Sequence, residues 1–197
     1  MSREPRPLGL IVRLQIQPAP LKIGEKPDRH YDPAPLLPAD QLTITAQGAA
    51  ARLPDGASAL DIHHAAHPAT RNSGKGNALS IGFTSHYTAM RAQFGPHLWD
   101  GCAGENILVA VERPITLDDV RGGLAIRRAG EAELIEFGGV RVALPCREFS
   151  GYAQHGPGAA ALKEALQFLD HGMRGYLCGL TSRTSAVIAV GDEVLAL

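Results

Sequence analysis

The stretch from Leu124 to Cys146, LAIRRAGEAELIEFGGVRVALPC, decides the fold class. It holds three short β-favouring runs in close succession: Leu124 to Arg128, Ala132 to Phe137 and Val140 to Leu144. Ala129-Gly130 and Gly138-Gly139 stand where two hairpins would close. Pro145, which has no backbone donor to give a ladder, ends the last run directly before a thiol.

The same texture continues outward. Leu8 to Gln17 alternates, with Val12, Leu14 and Ile16 on one side and Arg13, Gln15 and Gln17 on the other, the period of a half-buried strand. Further β-like runs span Gln41 to Ala46, Ala57 to Ala65, Asn77 to Phe83, Glu105 to Val111, Tyr176 to Thr181 and Ala186 to Val190. Many short strands with Gly-rich turns predict a mainly β fold, a barrel or sandwich rather than a doubly wound sheet. Two peripheral helices are clear, and a third is allowed. One lies between Thr84 or Ser85 and Gly95, with Tyr87, Met90 and Phe94 on one face. The other opens near Pro157, carries Leu162, Ala165, Leu166 and Leu169, and stops at Gly172 beside His171. Six prolines between Pro18 and Pro38 predict an irregular arm, over about residues 18–40, that serves as a lid or a packing element.

With 197 residues, 45% of them hydrophobic, the chain can bury one core, and a single domain over 1–197 is expected. A net charge of −1 gives no field for nucleic acid or an anionic membrane. No apolar run approaches the roughly 20 residues that cross a bilayer, so a cytoplasmic protein without membrane or nucleic-acid partners is expected. The cysteines Cys102, Cys146 and Cys178 are odd in number and form no C-x-x-C pair, which argues against a disulfide scaffold. Arginine far outnumbers lysine, a composition that permits bidentate anion binding.

Candidate chemistry gathers at a few places. Cys146 sits at a strand end, with Arg147 beside it and Arg141 on the preceding strand, and nearby cations favour a thiolate, both a nucleophile and a soft metal ligand. Taken alone, the thiol reads more readily as a small buried hydrophobe, and Cys178 reads that way throughout. In Gly101-Cys102-Ala103-Gly104-Glu105-Asn106-Ile107 the glycines allow close backbone approach to a ligand, while Glu105 and Asn106 offer an acceptor and an amide; the same residues also simply build a turn. On a strand, His63 and His64 of Asp61-Ile62-His63-His64-Ala65-Ala66-His67 would face opposite sides, leaving His64, His67 and Asp61 as a candidate divalent-metal set for a hydrolase or lyase. Proton transfer or hydrogen bonding is the other reading of these histidines. Arg71 to Asn77 lacks the first glycine of a nucleotide P-loop but could hold one phosphate with Arg71 and Lys75.

Gly104-Glu105-Asn106-Ile107, Pro145-Cys146, Arg174-Gly175-Tyr176 and Gly191-Asp192-Glu193-Val194 occur in an order and spacing that resemble the MOSC domain, named for the C-terminal part of molybdenum-cofactor sulfurase, across roughly residues 57 to 197. The resemblance implies a pyruvate-kinase-barrel-like β-barrel and a cysteine, here Cys146, that carries sulfur as a persulfide or binds the molybdenum of the pterin cofactor. It further implies catalysis of sulfur transfer or molybdenum-dependent reduction at a mouth rimmed by Glu105, Asn106, His64 and Arg147, with Cys146, Glu105 and His64 as the catalytic set. Gly104, Asn106, Arg147, Arg141 and Arg71 would then hold the cofactor. Its members are linked to pyridoxal-phosphate-dependent cysteine desulfurases as sulfur donors, although this chain has no lysine site of its own for that cofactor. The chain departs from the pattern at Ala143, where many members have arginine, and at His63-His64-Ala65, where they have His-Gly-Gly. A non-catalytic binding module on the same scaffold is the remaining alternative.

Overall fold

The structure, a computed structural model, describes residues 4–53, 56–71, 79–155, 158–181 and 184–197. In chain order the strands and helices are β1 (Arg6–Ile16), β2 (Lys22–Ile23), β3 (His30–Tyr31), β4 (Leu37–Ala39), β5 (Gln41–Thr45), β6 (Gly48–Arg52), β7 (Ser58–Leu60), β8 (Leu79–Phe83), α1 (Thr84–Phe94), β9 (Ile107–Val109), α2 (Leu117–Val120), β10 (Leu124–Arg127), β11 (Leu134–Val142), α3 (Arg147–Gln154), α4 (Ala159–Leu169), β12 (Tyr176–Leu180), β13 (Ser185–Ala189) and β14 (Glu193–Ala196). Seven of these strands close on themselves in the order β14-β10-β11-β12-β8-β9-β1, with β14 pairing back onto β1. The expected mainly β barrel is thus present, with four helices among the described residues rather than two or three. No helix among these residues is long and apolar enough to cross a membrane.

Every neighbouring pair in the barrel is antiparallel except β8 and β9, which run parallel because α1 carries the chain back between them. Ile11, Leu14, Ile81, Phe83, Ile107, Val109, Ile126, Phe137, Tyr176 and Val194 fill the barrel. A second sheet, β13-β5-β6-β7, adds Leu42, Ile44, Ala49, Ala51 and Ile188 to the same apolar cluster. A separate cluster joins Tyr87 and Met90 of α1, Phe149 and Ala153 of α3, Leu169 of α4 and Leu21, Tyr31 and Leu36 of the Pro-rich arm. Burying side chains of this size stabilises the fold by about 1.5–3 kcal/mol each, so the arm is a packed wall of the molecule.

Several expectations change. Gly138-Gly139 closes no hairpin: β11 runs through both, and its register against β12 shifts between Gly138 and Arg141. The two glycines accommodate a bulge, which bends the strand instead of reversing it. Ala129-Gly130 does close the β10–β11 hairpin. A register shift in β1 between Ile11 and Arg13 moves Ile11 inward and leaves Val12 exposed, against the simple alternation. The run from Ala57 ends as a strand at Leu60, and successive turns follow, in which the His64 amide bonds the Asp61 carbonyl (2.9 Å) and the His67 amide bonds the His64 carbonyl (2.9 Å). His63 and His64 are therefore not strand neighbours. The arm holds a small β2–β3 hairpin and β4, which pairs with the end of β1. Helices α2 and α3 and strands β6 and β14 were not expected. The Arg71–Asn77 loop, apart from Arg71, and Pro157 lie outside the described residues.

Gly175 shows how tightly the barrel end is packed. Its φ is +84°, and a Cβ there would lie 2.2 Å from the Ile81 carbonyl oxygen. Gly175→Ala should lower the unfolding free energy in urea by about 3 kcal/mol. Gly130→Ala, at φ +79° with nothing within 4 Å, should cost only about 1 kcal/mol. Equal losses would refute this packing account.

Candidate functional site

Where β8, β11 and β12 meet the 103–106 turn, the start of α3 and the arm, the surface opens into a cleft of about 610 Å³. That volume lies in the range of small-molecule sites. A smaller groove of about 370 Å³, between Arg6–Leu8 and residues 110–115, has neither a thiol nor a histidine on its lining.

Cys146 lines the cleft. Ala143, Leu144 and Pro145 separate it from the end of β11 at Val142, two residues short of the expected strand end. Its backbone is extended (φ −114°, ψ 152°), and it caps the N-terminus of α3, where its carbonyl accepts the Ser150 amide at 3.0 Å. It is half-buried, whereas Cys102 and Cys178 are sealed in cores. Burial pushes both of those thiols up, Cys178 to about 12. Among the described residues Cys146 is therefore the one cysteine placed to meet a ligand.

Arg174 is on the same lining. One end of its guanidinium donates to the Ala103 carbonyl at 2.7 Å, and the group sits 4.1 Å over the Phe149 ring. Its Nε is buried and has no hydrogen-bond partner among the described residues. A buried charged donor without a partner is costly unless something bound supplies the acceptor. Burial works against its charge, but Tyr31 and Glu105 nearby outweigh that and hold its pKa above the ordinary value.

Glu105 forms part of the floor and is buried. Burial raises its carboxyl above the usual range, and the Arg174 charge together with the Tyr87 hydroxyl, which donates to Oε2 at 2.6 Å, only partly offsets this. The Ala103 amide in turn donates to the Tyr87 oxygen at 3.0 Å. Asn106 also lines the cleft, but its side chain is occupied by the protein: Oδ1 accepts from the Ser80 amide (3.0 Å) and hydroxyl (2.9 Å), and Nδ2 donates to Asp61 Oδ2 (2.9 Å) and the Gln15 carbonyl (3.3 Å). Gly104 and Arg71 are on the lining, as is Ala143.

Three expected residues lie elsewhere. His64 is buried against Gly48, and its Nδ1 accepts the Ala66 amide at 3.1 Å. Arg141 and Arg147 are exposed and absent from the cleft lining. The proposed metal set of Asp61, His64 and His67 is likewise taken up. His67 accepts the Ala69 amide at Nδ1 (3.1 Å) and has Nε2 against the Pro18 carbonyl (3.1 Å), while Asp61 receives four donors. No three His, Cys, Asp or Glu side chains come together as a metal site among the described residues.

The sequence marks Arg174 only as part of a motif and singles out His64 rather than its neighbour on the cleft. His63 lines the cleft, with Nδ1 2.8 Å from Asp61 Oδ1. The signal was the Asp-x-His spacing, since an Asp side chain caps the amide two residues on, here at 2.9 Å. The arm's contribution had no sequence signal: Lys22, Arg29 and Tyr31 reach the cleft because Arg29 Nε bonds Glu148 Oε1 at 2.7 Å, Lys22 lies 3.5 Å from its Oε2, and Tyr31 stacks edge-on against Phe149.

No protein-family model matches the chain, and no curated protein sequence matches it. Among solved structures it is similar to the YuaD protein from Bacillus subtilis, with 12% identity and a TM-score of 0.54 over 97% of this chain and 94% of that one. It is also similar to YiiM from Escherichia coli (16% identity, TM-score 0.50, 99% of this chain and 70% of that one). YiiM from Geobacillus stearothermophilus gives 14% identity and a TM-score of 0.50 over 98% and 75% of the two chains. At such identities the likeness is one of fold, and that fold is a MOSC-type barrel.

Glu148 gives the arm a pH-dependent anchor. Burial disfavours its charge, but the Arg29 hydrogen bond, the backbone amide at the start of α3 and the Lys22 charge hold its carboxyl down to about 2, against an ordinary 4.5. The ionised group therefore contributes stability above pH 4.5, and that contribution is lost as the pH falls from 4.5 through about 2. Glu148→Gln should be less stable than wild type by about 2 kcal/mol at pH 7. The gap should close by about pH 2 in urea unfolding followed across pH; a gap that persists there would contradict the anchor.

Proposed function

We propose that this protein belongs to the MOSC family and that Cys146 is its working group, in the leading version as the protein ligand of a molybdenum–pterin cofactor held in the cleft. One observation carries the reading: the accessible thiol shares its cleft with Arg174, whose buried Nε has no acceptor among the described residues. The donor set fits the group. A thiolate sulfur suits molybdenum, and Arg174, Lys22, Arg29 and Arg71, all on the lining, suit the anionic end of a phosphorylated pterin. Arg174 also supplies a cation in a cleft where Ala143 stands in place of the family's arginine. When bound, the cofactor supplies two-electron redox chemistry at its metal. The chain's own residues hold the ligand, and the arm and α3 wall it from water.

A second version uses the same atom. Cys146 would carry sulfur as a persulfide received from a cysteine desulfurase, by attack of the thiolate on a sulfane sulfur. The observation that favours it is the His63–Asp61 pair on the same cleft, a device for moving protons that a passive ligand site does not need. Both versions place the protein in the cytoplasm, where the cofactor and the desulfurase would be met. A divalent-metal hydrolase has no ligand set left in the described residues to support it.

Full-length protein produced with cofactor supply intact should contain molybdenum and pterin, and Cys146→Ser should reduce both at least about tenfold, with Cys178→Ser unchanged. Arg174→Gln should lower pterin content while leaving the fold intact. An equal load in Cys146→Ser would overturn the ligand version. Mass labelling after incubation with a desulfurase and cysteine should find the added sulfur on Cys146 if the carrier version holds, and an unmodified Cys146 would overturn that version.

A further inference from the structure

The His63–Asp61 pair is more built than its surroundings require. Asp61 is 2% exposed, and each of its oxygens takes two donors: Oδ2 the Gln17 amide (2.8 Å) and Asn106 Nδ2 (2.9 Å), Oδ1 the His63 amide (2.9 Å) and His63 Nδ1 (2.8 Å). Burial alone would raise this carboxyl, but the His63 hydrogen bond and charge and the backbone donors bring it below the usual range, so it is an anion at neutral pH. An anion at Oδ1 fixes the proton of His63 on Nδ1 and leaves the lone pair on Nε2. The ring is not sealed: 47% of the side chain is exposed, it lines the cleft with Cys146, and Nε2 has no partner among the described residues. His64 and His67, by contrast, are held by neighbouring backbone amides.

We propose that His63 is a proton-transfer residue of the cleft, giving a proton at Nε2 to the thiolate that leaves when Cys146 takes sulfur from a low-molecular-weight persulfide or disulfide, with Asp61 as its positioning residue. The inference rests on the reading of Cys146 as a working thiol. In the step, the Cys146 thiolate attacks a sulfur of the S–S bond and a new S–S bond forms. The old one breaks with its electron pair on the departing sulfur, and the imidazolium protonates that sulfur directly or through water in the cleft. Neutral His63 then recovers a proton from the next Cys146 thiol to ionise, so the exchange is redox-neutral overall. The carboxylate, 2.8 Å from Nδ1, holds the ring's orientation while the proton moves at Nε2.

The test compares leaving groups. An aryl disulfide such as dithiobis(nitrobenzoate) releases an acidic thiol that needs no proton, and so reports only how reachable and ionised Cys146 is. An alkyl disulfide, or cysteine persulfide, releases a basic thiolate that does need one. With the full chain, His63→Gln should slow the alkyl probes about 100-fold and the aryl probe less than about twofold. Asp61→Asn should do the same while nitrogen-15 spectra of the His63 ring show the Nδ1–H tautomer replaced by a mixture. An equal slowing of both probes, or none of either, in a folded His63→Gln would overturn the proposal. If wild-type Cys146 reacts with neither probe, the thiol reading itself fails and takes this step with it. That failure appears in the wild type and is distinct from one seen only in the variants.

Discussion

The site depends on one buried carboxylate. Asp61 lies where β7 has ended, yet its four donors come from the end of β1, from the 105–106 turn and from its own turn. Those contacts fix Asn106, which in turn fixes Ser80 at the start of β8, so that three walls of the cleft share a single anion. A buried charge is tolerated only when its lone pairs are filled, and here they are. The arrangement accounts for the Asn106 side chain being fully engaged by the protein although it lines the cleft. It also explains why His63, the fourth donor, is the member that looks outward.

Much of the fold was legible because alternation and turn residues are local properties. The strands around Leu124 to Phe137 and Tyr176 to Leu180, and the helix carrying Tyr87 and Met90, fall where period and punctuation place them. The misreadings were of bulges: Gly138-Gly139 and the shift within β1 each insert one residue into a ladder, which reverses which side chains face inward without changing composition. Helix α3 escaped because it is eight residues long, contains Gly151 and starts on Cys146, a residue without the usual capping oxygen.

The site was half legible. Cys146, Glu105, Asn106, Gly104 and Arg71 do meet on one cleft, since each lies at a strand end or in a Gly-bracketed turn that the barrel gathers at one mouth. His64, Arg141 and Arg147 lie off the cleft lining because the choice between adjacent residues turns on a single backbone step, and the backbone at 61–67 is a series of turns rather than a strand. Arg174, Lys22 and Arg29 reach the cleft through contacts between segments remote in sequence, for which no periodicity exists to read.

Closure of the barrel by β14 against both β1 and β10 has a consequence for how the molecule comes into being. Strand β1 is made early on the ribosome but must wait, with one edge unsatisfied, until residues 193–196 have emerged. Pairing between strands so remote in sequence carries a loop-closure cost, the property that slows folding in topologies rich in long-range contacts. In a cell, its vulnerable moment is its birth, when an unpaired strand edge is open to the wrong neighbour.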